Sequence, residues 1–332
     1  MSATSFAVSL AGVTVAAALA APTPPAAART REPDGLVAAR LMTVTRSSAW
    51  RRVAAVPLRF PTHHPQGLVR IGDDLFLSAV EVTTSPEPPR EPGGRRGPGA
   101  GVGHLFRFGM DGALKADLRL GEGAAYHPGG VDFDGRSIWV PVSEYRPDSR
   151  ALIYRVDPVA MRATLAFRFD DHVGAVAYDR RRGALLGFSW GSRRLYRWRI
   201  PARGTADRPP SRRATASRVN RFNYIDYQDC HAVGAARVLC GGLSEQASPD
   251  GGARFQLGGL ELIDLRNDRP VWQVPVPLRS PTGRVMTQNP VFVEATANGL
   301  RAYFVPDDDA STLYVYEIDP PSGGAAGSDR RR

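Results

Sequence analysis

The chain has 332 residues, 42% of them hydrophobic, enough for one large core, and repeated all-β folds often run past 200 residues as one unit. Its net charge of +10 rests on 43 basic residues, of which only Lys115 is lysine. The arginines gather in irregular stretches (90–96, 203–218, 330–332) and not along one element with interleaved aromatics, so they read as solvated loops and exclude a nucleic-acid partner.

Taken in chain order, Phe6–Ala21 is apolar and rich in Ala and Val. Pro22-Thr-Pro-Pro and Ala26-Ala27-Ala28 follow, as in a secretory signal with a small-residue cleavage site. The segment lacks a positive n-region and is short for a membrane span. Residues 1–28 are therefore expected to be a signal peptide, 29–48 a disordered linker, 49–319 the folded body and 320–332 a disordered tail. The mature protein is expected to be secreted or extracytoplasmic, monomeric and without a stable membrane span.

The body reads as strands. Period-two runs bounded by Gly, Asp, Pro or Asn fall into groups of four, over Gly67–Leu120, Gly130–Phe169, Gly174–Val219 and Gln228–Val276. A fifth group, Pro290–Ile318, has three strands, and Arg52–Phe60 supplies the missing one. The expected fold is an all-β propeller of five blades, with six as the alternative, its ring closed by strands from both chain ends. Thr83–Gly101, Pro201–Arg213 and Gln246–Ala253 read as surface loops.

One ungapped repeat points to the site. His64-Pro-Gln-Gly-Leu to Glu81 returns 63 residues later as His127-Pro-Gly-Gly-Val to Glu144, with Gly72 and Gly135 at matching positions. Two-residue turns at Gly72-Asp73 and Gly135-Arg136 pair His64 with Glu81 and His127 with Glu144. A turn at Asn298-Gly299 pairs Asn289 with Asp308. Asp171 and His172 fall opposite Trp190, and Asp226 opposite Ser244. All should ring one channel mouth.

Imidazoles and carboxylates converging there can hold a divalent cation, calcium, manganese or zinc. His64, His127 and His172 are the expected metal ligands. Glu81 and Glu144 are the expected acid/base groups, and Asp171, Asp226, Asn289 and Asp308 the ligand contacts. The competing reading makes these residues loop anchors, needed once per blade. Asp307-Asp-Asp309 reads as a polar turn, and Tyr224–His231 as polar groups among aromatics. A turn centred on Ala235 sets Cys230 across from Cys240, where export would let them oxidise.

His63-His64-Pro-Gln-Gly, Tyr126-His-Pro-Gly-Gly130, Ser189-Trp-Gly-Ser-Arg-Arg194, Asp226-Tyr-Gln-Asp-Cys230 and Ser311-Thr-Leu-Tyr-Val-Tyr316 resemble a bacterial and fungal family catalogued as a domain of unknown function. The likeness spans residues 50 to 318 and implies no activity. The fold it implies is similar to gluconolactonase, regucalcin and strictosidine-synthase-like propellers. The lactonase branch holds a cation with Glu, Asn and Asp, types that Glu81, Asn289 and Asp308 match, although those enzymes are six-bladed. The expectation is a metal-assisted, lactonase-like hydrolase of a small polar molecule or sugar. The alternatives are a non-catalytic propeller that binds a ligand or protein, and a five-bladed glycosidase using two carboxylates.

Overall fold

The computed structural model describes residues 35–319, apart from 90, 92, 93, 95, 202–213, 223 and 249–253. The leader and the tail lie outside the described residues, as does most of the Pro201–Arg213 segment. The chain enters through a short helix, α1 (Leu36–Leu41), and strand β1 (Trp50–Pro57). Blade one follows as β2 (His64–Ile71), β3 (Asp74–Thr84), β4 (Ala100–Gly109) and β5 (Leu114–Leu120). Blade two is β6 (Ala125–Pro128), β7 (Asp132–Phe133), β8 (Ile138–Glu144), β9 (Ala151–Asp157) and β10 (Arg162–Phe169), with β6 and β7 sharing the innermost position on β8. Blade three is β11 (Ala175–Asp179), β12 (Ala184–Phe188), β13 (Arg194–Arg199) and β14 (Ala216–Val219). Blade four is β15 (Asp226–Ala232), β16 (Arg237–Gln246), β17 (Phe255–Asp264) and β18 (Arg269–Val276). Blade five is β19 (Val291–Ala295), β20 (Leu300–Phe304) and β21 (Thr312–Ile318), completed by β1 as its outermost strand.

The alternation read from the sequence builds the junctions between blades. On β3, Leu75, Leu77 and Ala79 pack toward blade five with Tyr303, Leu313 and Val315, while Phe76 packs toward blade two with Ile138 and Val140. The described residues hold five apolar clusters, one per junction, so the ring has five blades and not six. Burying both faces of each sheet is the main stabilising term, at roughly 25 cal/mol per Å² of apolar surface. The ring closes between Trp50 and Ile318 at one end of the β1–β21 ladder and Pro57 and Thr312 at the other.

Two expectations about the chain need correction. Part of the supposed linker is ordered: Val37, Ala38, Leu41 and Val44 have the spacing of one helical face and are buried against blades four and five. Arg40 donates to the Gly299 carbonyl at 2.7 Å, and the Trp272 indole donates to the Val44 carbonyl at 2.9 Å. The loop expected over Thr83–Gly101 is also shorter, because β3 and β4 pair out to Thr84 and Ala100.

Register departs from the simple outward count by one residue. Ile71 pairs with Asp74 as expected, but an extra residue, Gln66, bulges between the Pro65–Ala79 and Gly67–Ser78 pairs. His64 therefore faces Val80 and not Glu81. In blade two the innermost strand breaks at Gly129-Gly130, and His127 faces Ser143 while Glu144 faces Ala125. In blade four Gln228 bulges in the same way, leaving Asp226 opposite Leu243 and not Ser244. The fifth hairpin turns at Ala297-Asn298, because the Thr296 amide donates to the Gly299 carbonyl at 2.9 Å and Ala295 pairs with Leu300. Asn289 thus reaches the Pro306 carbonyl, and meets Asp308 only through its side chain. Cys230 does face Cys240, and the two form a disulfide.

The irregularities close the axis. The Gly130 amide donates to the Gly174 carbonyl at 2.8 Å, and the Val176 amide donates back to Gly130 at 3.1 Å. A Cβ at Gly129 would sit 2.2 Å from the Gly174 carbonyl oxygen, and one at Gly130 2.7 Å from Gln228 O in blade four. Only glycine lets the innermost backbones approach this closely. The innermost backbones thus form a floor across the axis at Gly67, Gly129-Gly130 and Gly174, and we call the side of it lined by the residues just before these glycines the axial well.

Candidate functional site

Those residues are His64, His127 and His172, each two or three positions ahead of the floor. The structure sets them side by side: His127 lies between the other two, with ring centroids 6.1 Å from His64 and 6.3 Å from His172, but their donor nitrogens do not all fall within 4.8 Å of one another, so a shared cation requires the rings to turn inward. Each flanking ring is fixed by its Nδ1. That of His64 is 2.8 Å from Asp308 Oδ1, and that of His172 is 3.0 Å from the Glu144 carbonyl oxygen. An acceptor at Nδ1 places the proton there and leaves Nε2 with its lone pair. His127 is buried, and neither of its ring nitrogens has a hydrogen-bond partner. Burial, and then the neighbouring His64 and His172 rings, hold its pKa well below the ordinary imidazole value. Burial likewise pushes His172 down to about 4. Both rings are neutral near pH 7.

Blade five supplies the polar rim. Asn289 is fully buried, donates from Nδ2 to Pro306 O at 2.9 Å and to Asp308 Oδ1 at 3.2 Å, and leaves its own Oδ1 without a partner. The Arg284 guanidinium is 3.0 Å from Asp308 Oδ2. Burial raises the Asp308 carboxyl, but His64, Arg284 and Asn289 outweigh it and hold it below the usual carboxylate range. Tyr145 stacks on His127 at 4.1 Å, and Trp190 meets His172 edge-on at 4.9 Å, adding an aromatic wall.

The expected acids and bases do not join this group. Glu144 is buried, with one oxygen held by Arg146 Nε at 2.7 Å and the other by Arg150 Nε at 2.8 Å. Although burial works the other way, those arginines hold its carboxyl below the ordinary value, so it anchors a loop and is a poor proton acceptor. Glu81 continues the β3 face of Leu75, Leu77 and Ala79 toward the junction with blade five, 3.7 Å from His104 Nε2. Glu81 and Glu144 therefore do not oppose each other across the well. Asp171 accepts the His172 amide at 2.7 Å and the Tyr196 hydroxyl, and Asp226 pairs with Arg193 at 2.6 Å.

Sequence reasoning missed the group beneath the floor. Asp229 is fully buried and accepts the amides of Leu68 at 2.8 Å, Val131 at 3.0 Å and Cys230 at 3.1 Å, tying three blades together. His231 Nε2 lies 3.2 Å from Asp229 and 2.9 Å from the Val291 carbonyl, and its Nδ1 is 3.7 Å from Asp132. Burial opposes its charge, but the two carboxylates prevail and raise its pKa to about 10. Asp132 in turn accepts the Tyr178 and Ala232 amides at 2.7 and 3.2 Å. The available signal was an acidic residue amid the Asp226–Cys230 motif on an otherwise buried innermost strand, because a buried charge demands several partners.

The model of a family of unknown function matches residues 34–319. No curated protein matches the chain in sequence. Among solved structures, the tail fibre of Staphylococcus aureus phage P68 is similar at 10% identity with a TM-score of 0.47, over 83% of this chain and 54% of that one. The Pseudomonas aeruginosa periplasmic gluconolactonase is similar at 18% identity and a TM-score of 0.36, over 78% and 86% of the two chains. The WD40 domain of Toxoplasma gondii coronin is similar at 8% and 0.34, over 85% and 88%. The chain thus spans about half the length of the tail fibre, 54%.

Proposed function

The chain belongs to that family, DUF6454, and we propose that its axial well is a divalent-cation site that binds and hydrolyses a small polar molecule. The observation that carries the reading is His127: a buried neutral imidazole whose two nitrogens lack partners, between two imidazoles that turn their Nε2 away from a fixed Nδ1. An unpaired buried polar group costs roughly 1–3 kcal/mol, which a bound cation would offset. Acceptors that hold Nδ1 are the usual support of metal-ligating histidines, here Asp308 and the Glu144 carbonyl. Three imidazoles favour zinc or manganese over calcium.

Such a cation supplies Lewis-acid polarisation of a carbonyl and acidification of water. The chain's own residues do the rest. Trp190 offers a flat face to a sugar or lactone ring, and the unpartnered Asn289 Oδ1 accepts from a substrate hydroxyl. Arg284 sets a positive rim. Glu81 and Glu144, turned away or occupied, take no part in this reading, and a two-carboxylate glycosidase has no support in the geometry. The Cys230–Cys240 disulfide supports export, since such bonds persist in oxidising compartments. Among the described residues no helix is long and apolar enough to cross a membrane.

The test is elemental analysis of purified protein, followed by thermal melts with zinc and manganese and a screen of lactones and simple esters. The parent should bind a cation and melt higher with it by mass action. His127→Gln with His172→Gln should lose that shift together with any hydrolysis. A parent protein with no cation-dependent shift at millimolar metal overturns the reading.

A further inference from the structure

We propose a second metal site, at the seam where blade five meets blade one, built from His63, Glu81 and His104 and taking a zinc-class divalent cation. The proposal does not rest on the axial well. His104, on β4, is 3% exposed. Its Nδ1 lies 2.9 Å from Asp117 Oδ1, the kind of carboxylate contact that orients a metal-ligating imidazole. That Nε2 is sealed from solvent and has no hydrogen-bond partner. A Glu81 oxygen faces it at 3.7 Å, beyond hydrogen-bond reach. A buried imidazole nitrogen and a carboxylate oxygen thus face each other at a separation that an ion coordinated by both would bridge.

His63 completes the set. Its ring lies 5.1 Å from that of His104, and the donor atoms of His63, Glu81 and His104 all fall within 4.8 Å of one another. Two imidazoles and a carboxylate, one imidazole backed by Asp117, match the ligand types and second shell of zinc sites. So few oxygen donors suit calcium poorly. The Glu81 side chain is 42% exposed, giving the ion a route in and room for water as a further ligand.

The placement suggests what the ion does. His63 lies in the segment joining the closing strand β1 to β2, and its carbonyl accepts the Asp309 amide of blade five at 2.6 Å. Glu81 and His104 belong to β3 and β4. An ion here would clamp the entry of the closing strand to the body of blade one.

Zinc alone is added to the chelator-treated full chain, and bound ions per chain are counted by equilibrium dialysis with elemental analysis. His64→Gln with His127→Gln disables the axial trio, and that protein should still bind one zinc ion per chain and melt higher with it. Adding His63→Ala and Glu81→Gln, both at partly exposed side chains, should weaken this binding by more than the roughly 10–100-fold that loss of an outer-shell partner costs. Should the double Gln variant not fold, the count is made on the parent with and without the His63→Ala/Glu81→Gln pair, and it should fall by one. The proposal is overturned if the seam substitutions leave the zinc count and affinity unchanged, or if the folded His64→Gln/His127→Gln protein binds no zinc. A His104 ring carrying protons on both nitrogens in the ¹⁵N NMR spectrum of zinc-saturated protein also overturns it. If the axial well binds nothing, the parent should bind one ion, lost on the seam substitutions, so the two readings fail separately.

Discussion

Replacing Asp229 by Asn tests the idea that one carboxylate holds the centre of the ring. Its oxygens accept the amides of Leu68, Val131 and Cys230 at 2.8, 3.0 and 3.1 Å and face His231 Nε2 at 3.2 Å. An Asn side chain has one acceptor oxygen, so whichever way it turns, donors on one side face an NH₂ group. With the amide nitrogen at the Oδ1 position, Val131 and Cys230 lose their acceptor; at the Oδ2 position Leu68 does, while His231 keeps the Val291 carbonyl at 2.9 Å. One or two unsatisfied buried donors cost about 1–6 kcal/mol. Removing one partner of a buried ion pair costs about 3–5 kcal/mol. The two overlap, so the expected loss is about 4–6 kcal/mol, a large part of the roughly 5–15 kcal/mol that holds a domain folded. Urea unfolding without reductant, which keeps the disulfide intact in both proteins, measures it. A cycle with His231→Gln isolates the ion pair: in the Asp229→Asn background that second change should cost less than in the parent, because the cation has already lost the nearer of its two carboxylates and keeps only Asp132 at 3.7 Å. A loss below about 1 kcal/mol, or additive single and double substitutions, would refute the reasoning.

Two further outcomes follow from the site. The pKa of His172 is lowered by burial to about 4 in the folded protein, so below pH 6.5 the unfolded chain binds more protons and stability falls as pH drops from about 6.5 through 4. The term reaches about 3 kcal/mol at the acid end, and His172→Gln should flatten the melting temperature against pH over that window; equal slopes would sink the assignment. Glu144→Gln should cost about 1–3 kcal/mol by weakening the bonds to Arg146 and Arg150, with zinc affinity unchanged because His172 leans on the Glu144 backbone; a loss of zinc affinity without destabilisation would return Glu144 to the site.

The blades were legible because period-two alternation and turn residues are local signals, and so was the cross-strand match of Cys230 with Cys240. The meeting of His64, His127 and His172 could also be read, since each precedes a glycine that the closed axis needs. The bulge at Gln66 could not: a bulge of this kind requires no special residue, yet one extra position in β2 takes His64 out of register with Glu81, which keeps the blade-five face of Leu75, Leu77 and Ala79. Residues beyond a bulge are therefore assigned to the wrong face by any count made outward from the hairpin. His104 escaped notice for a different reason. It sits on the third strand of its blade, outside the repeat; the β3–β4 register makes Glu81 its diagonal neighbour, and the path of the segment before β2 brings in His63.

The β1–β21 ladder also sets the order of assembly. Trp50 precedes the other four blades in the chain and Ile318 follows them, so the closing strand stays without a partner while four blades form behind it. Pairings this distant in sequence come late, after the cost of closing the loop has been met. Until then β1 is an open edge, which any β21 can accept. At high concentration that edge can come from a second chain, and two rings would then exchange first strands with every contact at the seam preserved.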